Sequence, residues 1–269
     1  MTTLNPLRAG AHLYRHRYLI GQLTRREVLL KYRGSYLGIG WSFFYPLLLL
    51  ATFTLVFGHI FGARWHARAH PAIPLVLVMY CGLAVFNLFA ETAAAAPRLI
   101  LGYQSYVKKI IFPTEILPLV LVMSSTVHAA INFLILLLFI AVFAKLHLTL
   151  LLVPLILLPL WLFVLGVAWL LAATGVFVRD LAHVMPVFVQ ILMFLSPVFY
   201  PQSAVPASLQ WLYHMNPLGI VIEELRQVAL WGVPPDWIKW LAVLAVSGAT
   251  ALAGYAFFTR SQEEFADVL

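Results

Sequence analysis

The chain has 269 residues, 63% hydrophobic and 10% charged, with a formal charge of +7 and a single cysteine, Cys81. Average soluble domains carry about 25% charged residues, so a single water-soluble core is excluded and a polytopic membrane protein is expected. One cysteine also excludes an internal disulfide framework and a cysteine-based metal site.

The first 36 residues form a basic arm. Arg8, Arg15, Arg17, Arg25, Arg26, Lys31 and Arg33 stand against one acid, Glu27. The charges are not followed by a short apolar core with a small-residue cleavage site, so the arm does not read as a secretory signal peptide. It runs into apolar sequence without a Ser-rich linker, which argues against a mitochondrial transit peptide. In residues 12–33, Leu13, Leu19, Ile20, Leu23, Leu30 and Tyr32 recur at roughly helical intervals among the cations. This pattern predicts an amphipathic helix on the cytoplasmic interface, apolar side in the acyl boundary and arginines among anionic headgroups of the membrane lipid. Arg25, Arg26, Lys31 and Arg33 are also candidates for a docking surface.

A transmembrane helix needs about 20 mainly apolar residues. Six stretches qualify, at roughly 37–61, 74–96, 113–144, 149–178, 182–201 and 237–258. The third and fourth exceed the need and must tilt or project. The expected fold class is an all-α membrane protein with one transmembrane domain over 37–269. With both termini cytoplasmic, twelve cations fall inside and five outside, which satisfies the positive-inside rule.

Two polar features lie between the spans. The bridge at 98–111 carries Arg98, Tyr103, Tyr106, Lys108 and Lys109 on the cytoplasmic side; aromatics beside cations suit a protein interface. On the outside, residues 206–232 read as a pair of half-length helices dipping into the outer leaflet, with Glu223, Glu224 and Arg226 in an apolar frame. The second of them, from about 216, should stop at Gly232 before two prolines. Inside the second span Glu91 is an intramembrane acid, open to a functional or a pairing role. In the third, Ser124, Ser125, His128 and Asn132 share a face suited to interhelical hydrogen bonds.

Chemistry on this chain itself is not expected. There is no GxxxxGK[ST], and none of the five lysines precedes Ser or Thr. HExxH is absent. His66 and His70 have metal-ligand spacing, but Arg64 and Arg68 repel a cation there; His59 and His128, the only haem-ligand candidates in spans, sit at different depths. No cofactor is therefore assigned to the chain.

Six segments taken together resemble the permease subunit of ABC-2-type exporters, in the polysaccharide-export branch of capsule, O-antigen and teichoic-acid permeases. They are LTRREVLLKYRGSYLGIGWSFFYPL (23–47), KKIIFPTEILP (108–118), VFVRDLAHV (176–184), LSPVFYP (195–201), NPLGIVIEELR (216–226) and FFTRSQEEFADVL (257–269). They occur in order and cover nearly the whole chain, and its length and simple loops look closest to capsule-type members.

The resemblance implies a non-catalytic subunit in the bacterial inner membrane, forming a homodimer with two cytosolic ATPases that hold ATP and Mg. The arm helix and the bridge would touch the ATPases, and the short external helices would gate. A lipid-linked polysaccharide would be the cargo. Periplasmic co-polymerase-type and outer-membrane export proteins are further partners of that branch; no nucleic acid is expected. Sugar rings stack on aromatics without a fixed position, so Trp41, Phe43, Phe44, Tyr45, Phe194, Phe199 and Tyr200 are pathway candidates, as bases stack in single-strand grooves. Each could equally pack against lipid or the core.

Other readings fit less well. An ABC-2 exporter of small hydrophobic molecules or drugs would share the fold and differ in cargo. A secondary carrier of the mitochondrial type needs a threefold Px[DE]xx[KR], found once here, at Pro234–Lys239. A membrane haem protein lacks a ligand pair.

Overall fold

The computed structural model describes residues 10, 13–56, 73–107, 112–200 and 205–268. Among these the protein is all-helical, without strands. The helices are α1 (Arg17–Tyr32), α2 (Trp41–Phe53), α3 (Leu75–Gly102), α4 (Ile116–Phe143), α5 (Leu158–Phe177), α6 (Leu181–Leu195), α7 (Gln210–Met215), α8 (Pro217–Arg226) and α9 (Trp237–Ser261).

Among the described residues four helical stretches are long and apolar enough to span: Leu75–Gly102, Ile116–Phe143, Leu148–Phe177 and Trp237–Glu264. The first and fifth predicted spans correspond to shorter apolar helices, Trp41–Val56 and Leu181–Leu195. At 1.5 Å per residue the 15 residues of α6 cover about 22 Å, less than a hydrocarbon core of about 30 Å. Sequence predicts this span through residue 201, but Ser196 is extended, with ψ 149°. The cause is local: Pro197 disfavours helical backbone at the residue before it.

Proline acts differently in two other spans. Pro154 and Pro159 divide the fourth predicted span into a 3-10 turn (Leu148–Leu152), one α-helical turn (Val153–Ile156) and α5. Pro97, by contrast, leaves α3 intact, and the helix continues to Gly102. Sequence marks the bridge from Arg98; its first five residues belong to α3.

The centre of the bundle is α3. In its most apolar stretch 72% of residues are buried, against 28–33% in the other three spanning helices, whose remaining apolar faces are left for lipid or partners. It contacts α4, α5, α6 and α8, while α9 packs on the far side of α5. Small residues bring these helices together. A Cβ on Gly175 would lie 2.2 Å from the Pro97 carbonyl oxygen, and one on Gly254 would lie 2.2 Å from that of Gly166. Close crossings of this kind replace the hydrophobic drive that lipid does not provide.

Candidate functional site

α1 packs along α4, and three side-chain contacts fasten it to the bundle. Glu27 accepts a short hydrogen bond from the Tyr103 hydroxyl. Arg26 donates to the Tyr106 hydroxyl at 3.3 Å, its guanidinium 6.0 Å from the Tyr106 ring centre. The Tyr103 and Tyr106 rings pack at a tilt, 5.7 Å between centres, and Tyr106 packs likewise on Phe112 at 5.3 Å. Burial first, then the Glu27 carboxylate, push the Tyr103 hydroxyl well above its usual range, so it stays protonated and donates.

The third contact lies deeper. Lys31 Nζ is 2.9 Å from Glu91 Oε1, which also meets His128 Nδ1 at 2.8 Å and accepts from Ser125 Oγ at 3.1 Å. Glu91 stands eleven residues before the end of α3, about 16 Å along the helix. The end of α1 is therefore tied to the interior of two spans rather than only to a headgroup plane. Tyr32 adds an edge-on contact with His128 at 5.5 Å and a hydroxyl bond to Ser42, just inside α2.

Of the eight coupling candidates, the structure gathers Arg26, Lys31, Tyr103 and Tyr106 where α1, α3 and α4 meet. Arg25 and Arg33 are exposed. Lys108 and Lys109 lie outside the described residues, as do His59, His66 and His70. Glu27 and Tyr32, which complete the contacts, escape a reading based on cations. Their signal was helical phase: Glu27 and Lys31 are i, i+4 on one face.

On the opposite side the buried side chain of Arg226 organises α8. It donates from Nε to the Val78 carbonyl at 3.1 Å and from Nη2 to the Val198 carbonyl at 2.9 Å, and pairs with Glu223 at 3.4 Å. Gly82 makes room for it: a Cβ there would lie 2.9 Å from Nη2. The Val198 carbonyl accepts because the chain beyond Ser196 is not helical. Burial pulls the Arg226 guanidinium down from its usual value, and it stays a cation because that value starts so high. Glu224 accepts from the Asp236 amide at 2.9 Å; burial raises its carboxyl. Asn216 caps α8 through Leu218 N and reaches Ser196 Oγ at 2.9 Å. The three gate candidates thus link α8 to the start of α3, the end of α6 and the entry to α9.

The aromatic candidates fall into two groups. Trp41, Phe43, Phe44 and Tyr45 are exposed on α2, with Tyr45 62% exposed. Phe199 packs on Phe53 at 5.5 Å and on Phe194 at 5.9 Å, joining the ends of α2 and α6. Tyr200 donates to the Phe194 carbonyl at 3.0 Å. Phe53 is a member that sequence reasoning missed, hidden in an unbroken apolar run.

Comparison with known proteins bears directly on this arrangement. Residues 18–230 match the family of the ABC-2 type transporter. An O-antigen export system permease protein RfbA of Myxococcus xanthus is 26% identical over 266 residues, covering 97% of this chain and 99% of its own. A protein of the same name from Klebsiella pneumoniae is 24% identical over 254 residues, covering 93% and 95%.

Proposed function

This chain belongs to the ABC-2 type transporter family, and from that premise we propose that it is the permease subunit of an ATP-driven exporter of a lipid-linked polysaccharide across a bacterial inner membrane. One observation carries this: relatives named O-antigen export permeases align with it end to end, not over a shared fragment. Their names favour an O-antigen-type polymer over the capsule-type cargo expected from length and loops.

The working unit is a homodimer with two cytosolic ATPases, which hold ATP and Mg. Six membrane crossings with cytoplasmic termini are completed by α2 and α6; the charge bias supports this orientation. The ATPases meet Arg33, which follows the end of α1, and the bridge with Lys108 and Lys109. Closure of the ATPases moves α1, and the Arg26–Tyr106, Glu27–Tyr103 and Lys31–Glu91 contacts pass that motion to α3 and α4. The aromatics of α2 and of the α6 end line the path at the dimer axis, and α7 and α8 close its outer mouth. Periplasmic co-polymerase-type and outer-membrane proteins receive the polymer.

The test is transport in proteoliposomes holding the permease and its ATPase. Lys108→Glu with Lys109→Glu should cut ATP-dependent glycan export at least tenfold while membrane insertion stays normal. Export at the wild-type rate removes the bridge from the coupling path. A permease that copurifies with no ATPase removes the exporter reading itself.

A further inference from the structure

We propose that the groove between α1 and α4 is a binding site for one anionic phospholipid, with an acyl chain along α4 and the phosphate held by Arg17 and Arg25. The groove has a volume of about 720 Å³, within the usual range for sites that enclose a small ligand. Its floor is a single stripe of α4, Leu119, Met123 and Val127, closed by Trp161. Four-residue spacing puts these side chains one above another over about 12 Å of a spanning helix. Met123 and Val127 are each 38% exposed, uncovered by the described residues. A soluble partner does not reach side chains at that depth, whereas an acyl chain already occupies it.

The rim has the opposite character. Arg17 and Arg25 line the groove two turns apart on α1, and no acidic residue lines it. The Arg17 guanidinium rests over the Tyr14 ring, 4.5 Å from its centre, so it is held at the mouth. Arg25 is exposed and has no carboxylate within ion-pair distance among the described residues. Between them sits Thr24, 9% exposed, whose Oγ1 lacks a hydrogen-bond partner among the described residues. Helical threonines ordinarily bond back to their own helix. A buried hydroxyl beside a lipid groove is instead positioned to donate to a lipid ester carbonyl. Exposed cations on the rim, a buried hydroxyl beneath them and an aliphatic stripe on the floor match the phosphate, ester and chain of a phospholipid. Phosphatidylethanolamine would bring the same phosphate, but its ammonium is repelled by the two guanidiniums, whereas an anionic lipid adds no cation to the site.

Native mass spectrometry of the purified full chain, titrated with phosphatidylglycerol or phosphatidylethanolamine, tests this. Two basic contacts at a membrane surface predict about a thirtyfold preference for phosphatidylglycerol. Arg17→Gln with Arg25→Gln should abolish the preference, and Val127→Trp should displace both lipids by filling the groove. A thermal melt in detergent confirms that each variant is folded. Equal retention of the two lipids by the wild type overturns the site, as does unchanged phosphatidylglycerol binding in both folded variants. A cross-link from position 127 to residues 1–9 that persists while lipid is excluded also overturns it, assigning the groove to the chain's own N-terminal segment.

Discussion

An acid within a span costs about 3 kcal/mol unless it finds partners. Glu91 has three, Lys31, His128 and Ser125, drawn from α1 and α4. A carboxylate is the only ordinary side chain whose oxygens accept from an ammonium, an imidazole and a hydroxyl together. Replacing it with alanine takes the carboxylate from a histidine side chain that is 7% exposed and leaves the end of α1 held only by the Lys31–His128 and Tyr32 contacts. Glu91→Ala should therefore lower stability by about 2–4 kcal/mol, the range for losing charged hydrogen bonds whose partners stay partly buried. Glu91→Gln, which still accepts and keeps its shape, should lose less than half as much. Both are read as denaturation midpoints of the purified protein in detergent. An alanine variant that unfolds at the wild-type midpoint shows that the network does not anchor α1.

Among the helices, ends were more legible than interiors. Asn216 before Pro217 and Gly232 before two prolines announce the limits of α8 and its continuation, and Gly232 takes the left-handed φ of +67° that a helix stop requires. Asp236 opens α9 in the same legible way, accepting from Ile238 N and Lys239 N. The backbone and side chain of Lys239, foremost, and then the Ile238 amide hold the Asp236 carboxyl below its usual value. A carboxyl with a depressed folded value binds fewer protons folded than unfolded. Its contribution is complete above the ordinary carboxylate value of about 3.9 and is lost as pH falls through the depressed one. Asp236→Asn caps the helix without titrating. Between pH 5 and 3 the wild-type melting temperature should fall more than that of this variant; parallel curves would mean the cap is not linked to pH. Interiors were less legible because proline has two outcomes in a span. Pro197 ends α6, whereas Pro97 is absorbed by α3 where Gly175 lies against it. Local sequence carries no sign of which outcome holds: Pro186 too stays inside its helix, eleven residues before the proline that ends it.

At the scale of the whole molecule, sequence shows which residues are polar inside an apolar chain but not which of them meet. Glu91 and His128 are 37 positions apart, Lys31 and His128 97, and Arg226 and Val78 148. Glu91, His128, Lys31 and Arg226 were visible as candidates, the Val78 carbonyl was not, and only the packing around α3 brings them together. The same packing leaves α2 with Trp41, Phe44 and Tyr45 exposed on a helix that touches α4 and α3 on its other side. In the proposed homodimer this face looks onto the shared axis and Leu138, exposed on α4, looks away from it. Both faces are apolar and exposed, so composition does not separate them; the position of the second copy does. With buried Cys81 replaced by serine, a single cysteine at Tyr45 should form a dimer-sized disulfide product in native membranes under mild oxidation, and one at Leu138 should not. The product should diminish when the ATPase is held in its ATP-bound state, because opening at the axis separates the two copies of α2. Cross-linking at Leu138 in place of Tyr45 would put the dimer contact on α4 and move the proposed path away from these aromatics.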